Sequence, residues 1–288
     1  MINILLITTD TQRTDTLECM GGIKCCSPNL DRLAEEGVLF ERAYTAAPAC
    51  MPARCSMITG LYPPLHGCIE NGIGRYDKLP IFTDNLKSLG YRNMIFGKTH
   101  FGAIPDSFDI AETVRGEKWQ ERNDFYSSFF RERGCPEKSE WENQKREECC
   151  LDHMIVERAI YHMERERKTG TPFFVFCSLL SPHFPLDPPM DYKGIYCEDD
   201  IKNPEYMVGE WKNLPASLKE ICGLEMRTGA GWIDRMVEGK GNVADNRSME
   251  EMRRYKALYM KSTSWCDSLV GKLIDYLDES GLRKNTLA

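Results

Sequence analysis

The most constraining feature of this chain is an almost unbroken apolar run, Phe173 to Leu180, closed by Thr171-Pro172 before it and Ser181-Pro182 after it. A segment too short for a core helix and apolar on every side is a strand buried on both faces. That is the position of a central strand in a parallel sheet with helices above and below. The rest of the chain fits this frame. Asn3 to Thr8 reads as a second buried strand, ending in the polar cluster Thr8-Thr9-Asp10-Thr11. Polar residues at the C-terminal end of such a strand stand where open α/β sheets place ligands. Ser27-Pro28 opens a helix striped by Leu30, Leu33 and Ala34 and stopped by Gly37; Val38 to Tyr44 reads as a strand. Helices follow at Pro52 to Thr59 and Asp84 to Leu89, closed by Gly60 and Gly90, and then a strand at Asn93 to Phe96. Strand and helix alternate, which predicts an α/β fold around a mainly parallel sheet.

Between 116 and 168 the chain is charged, aromatic and helical in pattern, and is expected to be an insertion on the same domain. Residues 186–247, rich in Pro, Gly and Asp, read as surface excursions of the kind that carry specificity. Ser248 and Glu251 form a capping box for a long helix, striped by Met252, Tyr255, Tyr259, Ser262, Trp265, Leu269, Leu273 and Leu277 and ending near Gly281. Asn285 to Ala288 fall where the alternation would begin another strand. The chain is therefore expected to be one domain, 1–288, incomplete at its C-terminal end, with an exposed apolar sheet edge that favours self-association.

The 37 basic and 44 acidic side chains leave a formal charge of −7, which excludes a generic nucleic-acid binder. No stretch is long and apolar enough to span a membrane, and no basic segment precedes the first apolar run. Thirteen cysteines, an odd number, in a chain of this length with no export signal read as reduced thiols in a cytoplasmic protein. Without a C-x-x-C anywhere, the pairs Cys25-Cys26 and Cys149-Cys150 do not make a structural zinc site.

The most informative residues are Cys50-Met51-Pro52-Ala53-Arg54, followed by Ser56, Thr59 and Gly60. Pro52 pre-sets a first helical turn and puts Cys50 at a helix N-terminus, where free N–H groups and the helix dipole favour negative charge. Arg54 adds a positive charge one turn on. Taken alone, a cysteine here is more often a small buried hydrophobe. Lys98 and His100, two residues apart after a strand, can face one side; alone they read as a solvated lysine and a surface histidine. His183 sits in Ser-Pro-His-Phe-Pro, where prolines fix the loop. His153 and His162 fall on a charged helical stretch and are expected in solvent, and His66 in a turn near the site mouth. Glu70, Asn71, Asp187 and Asp191 are weaker candidates for meeting substrate.

C-x-P-x-R is also the signature of the type I sulfatases, and the chain resembles that family at several further blocks. These are Asn3 to Asp10, Ser27 to Ala34, Cys50 to Gly60, Gly90-Tyr91-Arg92, Gly97 to Gly102, Ser181-Pro182-His183 and the helix from Asp267 to Gly281. The resemblance implies an alkaline-phosphatase-like sandwich. It implies that Cys50 is oxidised to formylglycine by a formylglycine-generating or anaerobic sulfatase-maturating enzyme, and that the hydrated residue attacks a sulfate ester. In that scheme Arg54 holds the diol, Lys98 pairs with sulfate oxygens, His100 removes a proton, and His183 binds sulfate or protonates the leaving alcohol. Asp10, Thr11 and residue 50 would hold Ca2+, with Mg2+ or Mn2+ as alternatives. Thr11 stands where the family has Asp or Gln, and Gln12 could substitute; one carboxylate with residue 50 cannot surround a calcium ion.

The leading reading is thus a sulfuric ester hydrolase acting on a small sulfated molecule or saccharide. Its rivals are a phosphonate monoester or phosphodiester hydrolase using the same modified residue, a catalytically inactive fragment, and a thiol hydrolase using unmodified Cys50.

Overall fold

A computed structural model describes residues 1–22, 26–114, 125–135, 146–184, 186, 188, 189, 192, 215 and 249–288. Five strands, β1 (Asn3–Thr8), β2 (Arg92–Lys98), β3 (Ile110–Val114), β4 (Phe173–Ser178) and β5 (Thr286–Leu287), form one sheet in the order β3-β2-β4-β1-β5. Every neighbouring pair is parallel. The helices are α1 (Pro28–Glu36), α2 (Cys50–Thr59), α3 (Pro63–His66), α4 (Phe82–Ser88), α5 (Ser127–Glu132), α6 (Leu151–Thr169) and α7 (Met249–Glu279).

The apolar run does what its composition requires. All six residues of β4 are buried, and the two-residue period of a strand divides them between two cores. Phe173, Val175 and Cys177 face α6 and α7, where Met154, Ile155, Met163, Trp265, Leu269, Leu273 and Leu277 pack. Phe174 and Phe176 face Met51, Cys55 and Ile58 of α2, with Phe101 and Phe108 beside them. Each such side chain contributes about 1.5–3 kcal/mol on burial, so two-sided burial makes β4 the anchor of the sheet. Its central place sets the ends of β1, β2 and β4 side by side.

Helix ends are held from a distance. Ser27 precedes α1 but does not cap it: its hydroxyl donates to Asp31. The buried Asp267 of α7 caps α1 instead, accepting from the backbone N–H groups of Asn29 at 3.1 Å and Leu30 at 2.8 Å.

Several expectations are corrected. Val38 to Tyr44 is irregular, with Val38, Phe40 and Tyr44 exposed, because no described strand lies beside it to complete a ladder. The strand β3 had no sequence signal, since its middle residue is Glu112; this carboxylate is buried by a bidentate pair with Arg158 and by His162 at 2.8 Å. His162 is therefore not in solvent. Neither is His153, which pairs with Glu147 at 2.9 Å and lies beside Lys272. The thiols are not all reduced: Cys135 and Cys149 are bridged, while eight described cysteines are free. Helix α2 begins at Cys50, two residues before the expected start. The final strand is present as β5, paired with Asn3 and Ile4. Ser248, Asp187, Asp191, Cys25 and the side chains of Glu251 and Met252 lie outside the described residues. No described helix is long and apolar enough to cross a membrane.

Candidate active site

Three strand ends and one helix start converge. Beyond β1, the buried Asp10 carboxylate accepts from Lys98 Nζ at 2.5 Å and from Arg54 Nη2 at 3.3 Å, both through Oδ2. Its other oxygen, Oδ1, faces the Cys50 thiol at 3.9 Å and the Thr11 hydroxyl at 3.0 Å. Arg54, only 5% exposed, also donates to the carbonyl of Lys98 at 3.0 Å and to Ser178 Oγ at 2.7 Å. One guanidinium thus ties α2 to the ends of β1, β2 and β4. Its planar fork can hold three partners in fixed directions, which a lysine could not.

Gly97 allows this convergence. It adopts φ +89°, and a Cβ there would lie 2.1 Å from the Ser178 carbonyl oxygen of the neighbouring strand. The next residue, Lys98, then points into the site.

Cys50 is the first residue of α2, preceded by Ala49 in an extended conformation. The N–H of Met51 is satisfied by Asn71 Oδ1 at 3.0 Å, so Asn71 supports the helix start. The Asp10-Thr11 turn, with Thr11 at φ 60°, is braced from α7: the Tyr259 hydroxyl donates to the Thr11 carbonyl at 2.7 Å and accepts from Arg13 N at 2.9 Å. His66 is fully buried and supports α2 from behind, bonding Ser56 at 2.9 Å. Because Cys68 N donates to His66 Nδ1, the ring is protonated at Nε2, the nitrogen facing Ser56.

The electrostatics favour an anion. Burial raises the Asp10 carboxyl, but Lys98 and then Arg54 outweigh it and hold the group below the usual aspartate range. Burial, reinforced by Lys98 and Arg54, pushes His100 down to about 4; its Nδ1 is buried without a partner among the described residues. Burial and Lys98 also lower His183. The His183 Nδ1 lies 2.5 Å from the Phe184 carbonyl, which only accepts, so Nδ1 carries the proton and Nε2 is the free acceptor.

Asp10, Thr11, Cys50, Arg54, Lys98, His100 and His183, singled out from the sequence, are all described. Asp10, Cys50, Arg54 and Lys98 are joined in one contact network, and a ring nitrogen of His183 lies within 4.8 Å of the Asp10 carboxylate and the Cys50 sulfur. Sequence reasoning missed the supports Ser178 and Tyr259, because what each does depends on its position in space. Asn71, one of the weaker candidates for meeting substrate, accepts through Oδ1 from the Met51 N–H at the start of α2. Gln12 Nε2 is buried without a described partner.

Among the described residues the donors do not by themselves complete a calcium site. Asp10 is the one carboxylate in the group, its Oδ2 is already taken by two cations, and Thr11 adds a single hydroxyl. A hard cation wants six to eight oxygens.

A parallel sheet flanked by helices, with the site at strand C-terminal ends, places the molecule among alkaline-phosphatase-like α/β folds. The chain belongs to the sulfatase family, whose profile matches residues 2–287. It is similar to an arylsulfatase of Clostridium perfringens (28% identical, covering 99% of this chain and 61% of that protein). It is also similar to an N-acetylglucosamine-6-O-sulfatase of Bacteroides thetaiotaomicron (26% identical, 99% and 56%). Among solved structures, a phosphonate monoester hydrolase of Agrobacterium radiobacter superposes with TM-score 0.81 at 21% identity, covering 100% of this chain and 61% of that one. The chain spans about half of the length of the curated relatives it matches. The family generally uses a formylglycine and a divalent metal.

Proposed function

We propose that this chain carries the nucleophile and anion pocket of a sulfuric ester hydrolase acting on a carbohydrate sulfate, with Cys50 converted to formylglycine by a maturating enzyme. The observation that carries this reading is the placement of residue 50 at the start of α2, facing Asp10, with Arg54 and Lys98 on the same carboxylate. A formylglycine at this position supplies, in hydrated form, one oxygen to attack sulfur and a second hydroxyl whose deprotonation expels sulfate.

The chain's own residues do the rest. Lys98 binds the sulfate oxygens, and Arg54 keeps residue 50 and Asp10 in register. His183, once it is protonated at Nε2 as well, donates that proton to the alcohol as the S–O bond to it breaks, and His100 takes the proton that accompanies sulfate release. Both imidazoles are held neutral by burial and the neighbouring cations while the pocket is empty. An arriving sulfate ester offsets those cations and raises both, toward the range in which a histidine exchanges protons at neutral pH.

A carbohydrate substrate is supported by the N-acetylglucosamine-6-O-sulfatase relative. A cytoplasmic site of action, on small imported saccharides, goes with this reading; the free cysteines suit it and the Cys135–Cys149 bridge does not. Phosphonate monoester hydrolysis is the second reading, motivated by the Agrobacterium structure. Sulfate esters, phosphonate monoesters and phosphodiesters assayed side by side, on protein produced with a maturating enzyme, test the choice. Sulfate ester turnover well above the others is the expected result. Faster hydrolysis of a phosphorus ester than of every sulfate ester would overturn it.

A further inference from the structure

We propose that Asp152 is a positioning residue of this site, a buried carboxylate that fixes the turn bearing His183 and the backbone of Asp10. The inference rests on the reading of those two as site residues. Asp152 lies in the first turn of α6, on the far side of β4 from Cys50's helix, and is 5% exposed. Its Oδ1 accepts from Leu180 N at 2.7 Å and its Oδ2 from Ser181 N at 2.8 Å. These are the amides that emerge where the chain leaves β4 and the ladder no longer pairs them.

The turn built on that clamp reaches both site residues. The Ser181 carbonyl accepts from Asp10 N at 3.2 Å, and the Leu180 carbonyl accepts from His183 N at 2.9 Å. Asp152 therefore holds the two consecutive peptides 179–180 and 180–181; the second presents the Leu180 carbonyl to His183, and the peptide that follows it presents the Ser181 carbonyl to Asp10. Among the described residues Asp152 makes no ion pair. Burial raises its carboxyl, and the Leu180 amide and the side chain and amide of Ser181 work against that rise. A carboxylate is the side chain that meets this geometry, with an acceptor for each amide; an asparagine offers one acceptor and turns its NH2 against the other N–H.

The test is the histidine ring 1H–15N spectrum of the full chain, wild type and Asp152→Asn, with inorganic sulfate as the added probe. In the variant the His183 ring signals should shift while those of His66 and His162 stay in place, and the sulfate concentration needed to perturb His183 should rise about tenfold or more. Unmoved His183 signals in a folded variant, or equal movement of all the histidines, would overturn the proposal. Should Asp152→Asn not fold, hydrogen exchange of wild-type Leu180 and Ser181 decides. Strong protection at both amides supports the clamp, and rapid exchange at either removes it. Failure of the wild-type protein to bind sulfate would instead count against the anion pocket, leaving the His183 comparison to judge the clamp.

Discussion

Asp10 stands between two cations, Lys98 and Arg54, and this arrangement fixes what single substitutions should do. Arg54→Ala leaves the buried Asp10 charge with Lys98 alone and strips Ser178 and the Lys98 carbonyl of a donor. Removing one partner from a buried pair costs about 3–5 kcal/mol. The variant is expected to lose that much in urea denaturation, together with hydrolytic activity; an unchanged midpoint would show that Arg54 is not under load. His100, pushed down to about 4 by burial and its cationic neighbours, should remain neutral in the empty site at about pH 5.5, where an ordinary histidine of pKa about 6.5 is mostly protonated. Ring 15N shifts read this directly. The catalytic candidates were legible because their residue types and spacing carry chemistry. Their supports were not: a tyrosine on an amphipathic helix or an aspartate in a first turn looks the same whether or not it braces a site.

Among the elements, β2 and β4 come close at Gly97, where a methyl group would strike the backbone carbonyl of Ser178 and the backbone holds a positive φ. Gly97→Ala should therefore destabilise the protein by about 1–3 kcal/mol from backbone strain alone, with the strands forced apart in addition. Thermal melting should show a clear loss, and a variant as stable as wild type would contradict this packing. β1, β2 and β4 were legible from apolar runs bounded by proline, glycine or polar clusters. β3 was hidden because Glu112 interrupts its pattern, and the partners that make it tolerable, Arg158 and His162, lie some fifty residues away on α6. Val38 to Tyr44 failed in the opposite sense. Its composition suits a strand, but a strand also needs a neighbour, and composition does not supply one.

For the molecule as a whole, the buried Glu112 cluster ties the edge strand to α6 and makes stability depend on acid. Burial raises the Glu112 carboxyl, but its bonds to Arg158 and His162 outweigh this and hold it below the usual glutamate range. A depressed carboxyl stabilises the fold fully above the unfolded value of about 4.3 and loses that contribution as pH falls through the folded value. Glu112→Gln should thus be less stable than wild type at neutral pH, by urea midpoints, with the gap narrowing in acid; a gap independent of pH would show that the charge carries none of the stabilisation. The fold class followed from the alternation of elements and the family from several motif blocks in order, since both are written along the chain. Substrate and metal completeness were not, because they depend on groups brought together from distant segments. The central claim is that residue 50 is a formylglycine nucleophile rather than a thiol. The most direct measurement is the mass of the tryptic peptide Ala43 to Arg54 from protein made in its native host. The account predicts the decrease that accompanies conversion of the cysteine –CH2–SH to an aldehyde, and an intact cysteine in that peptide would contradict it.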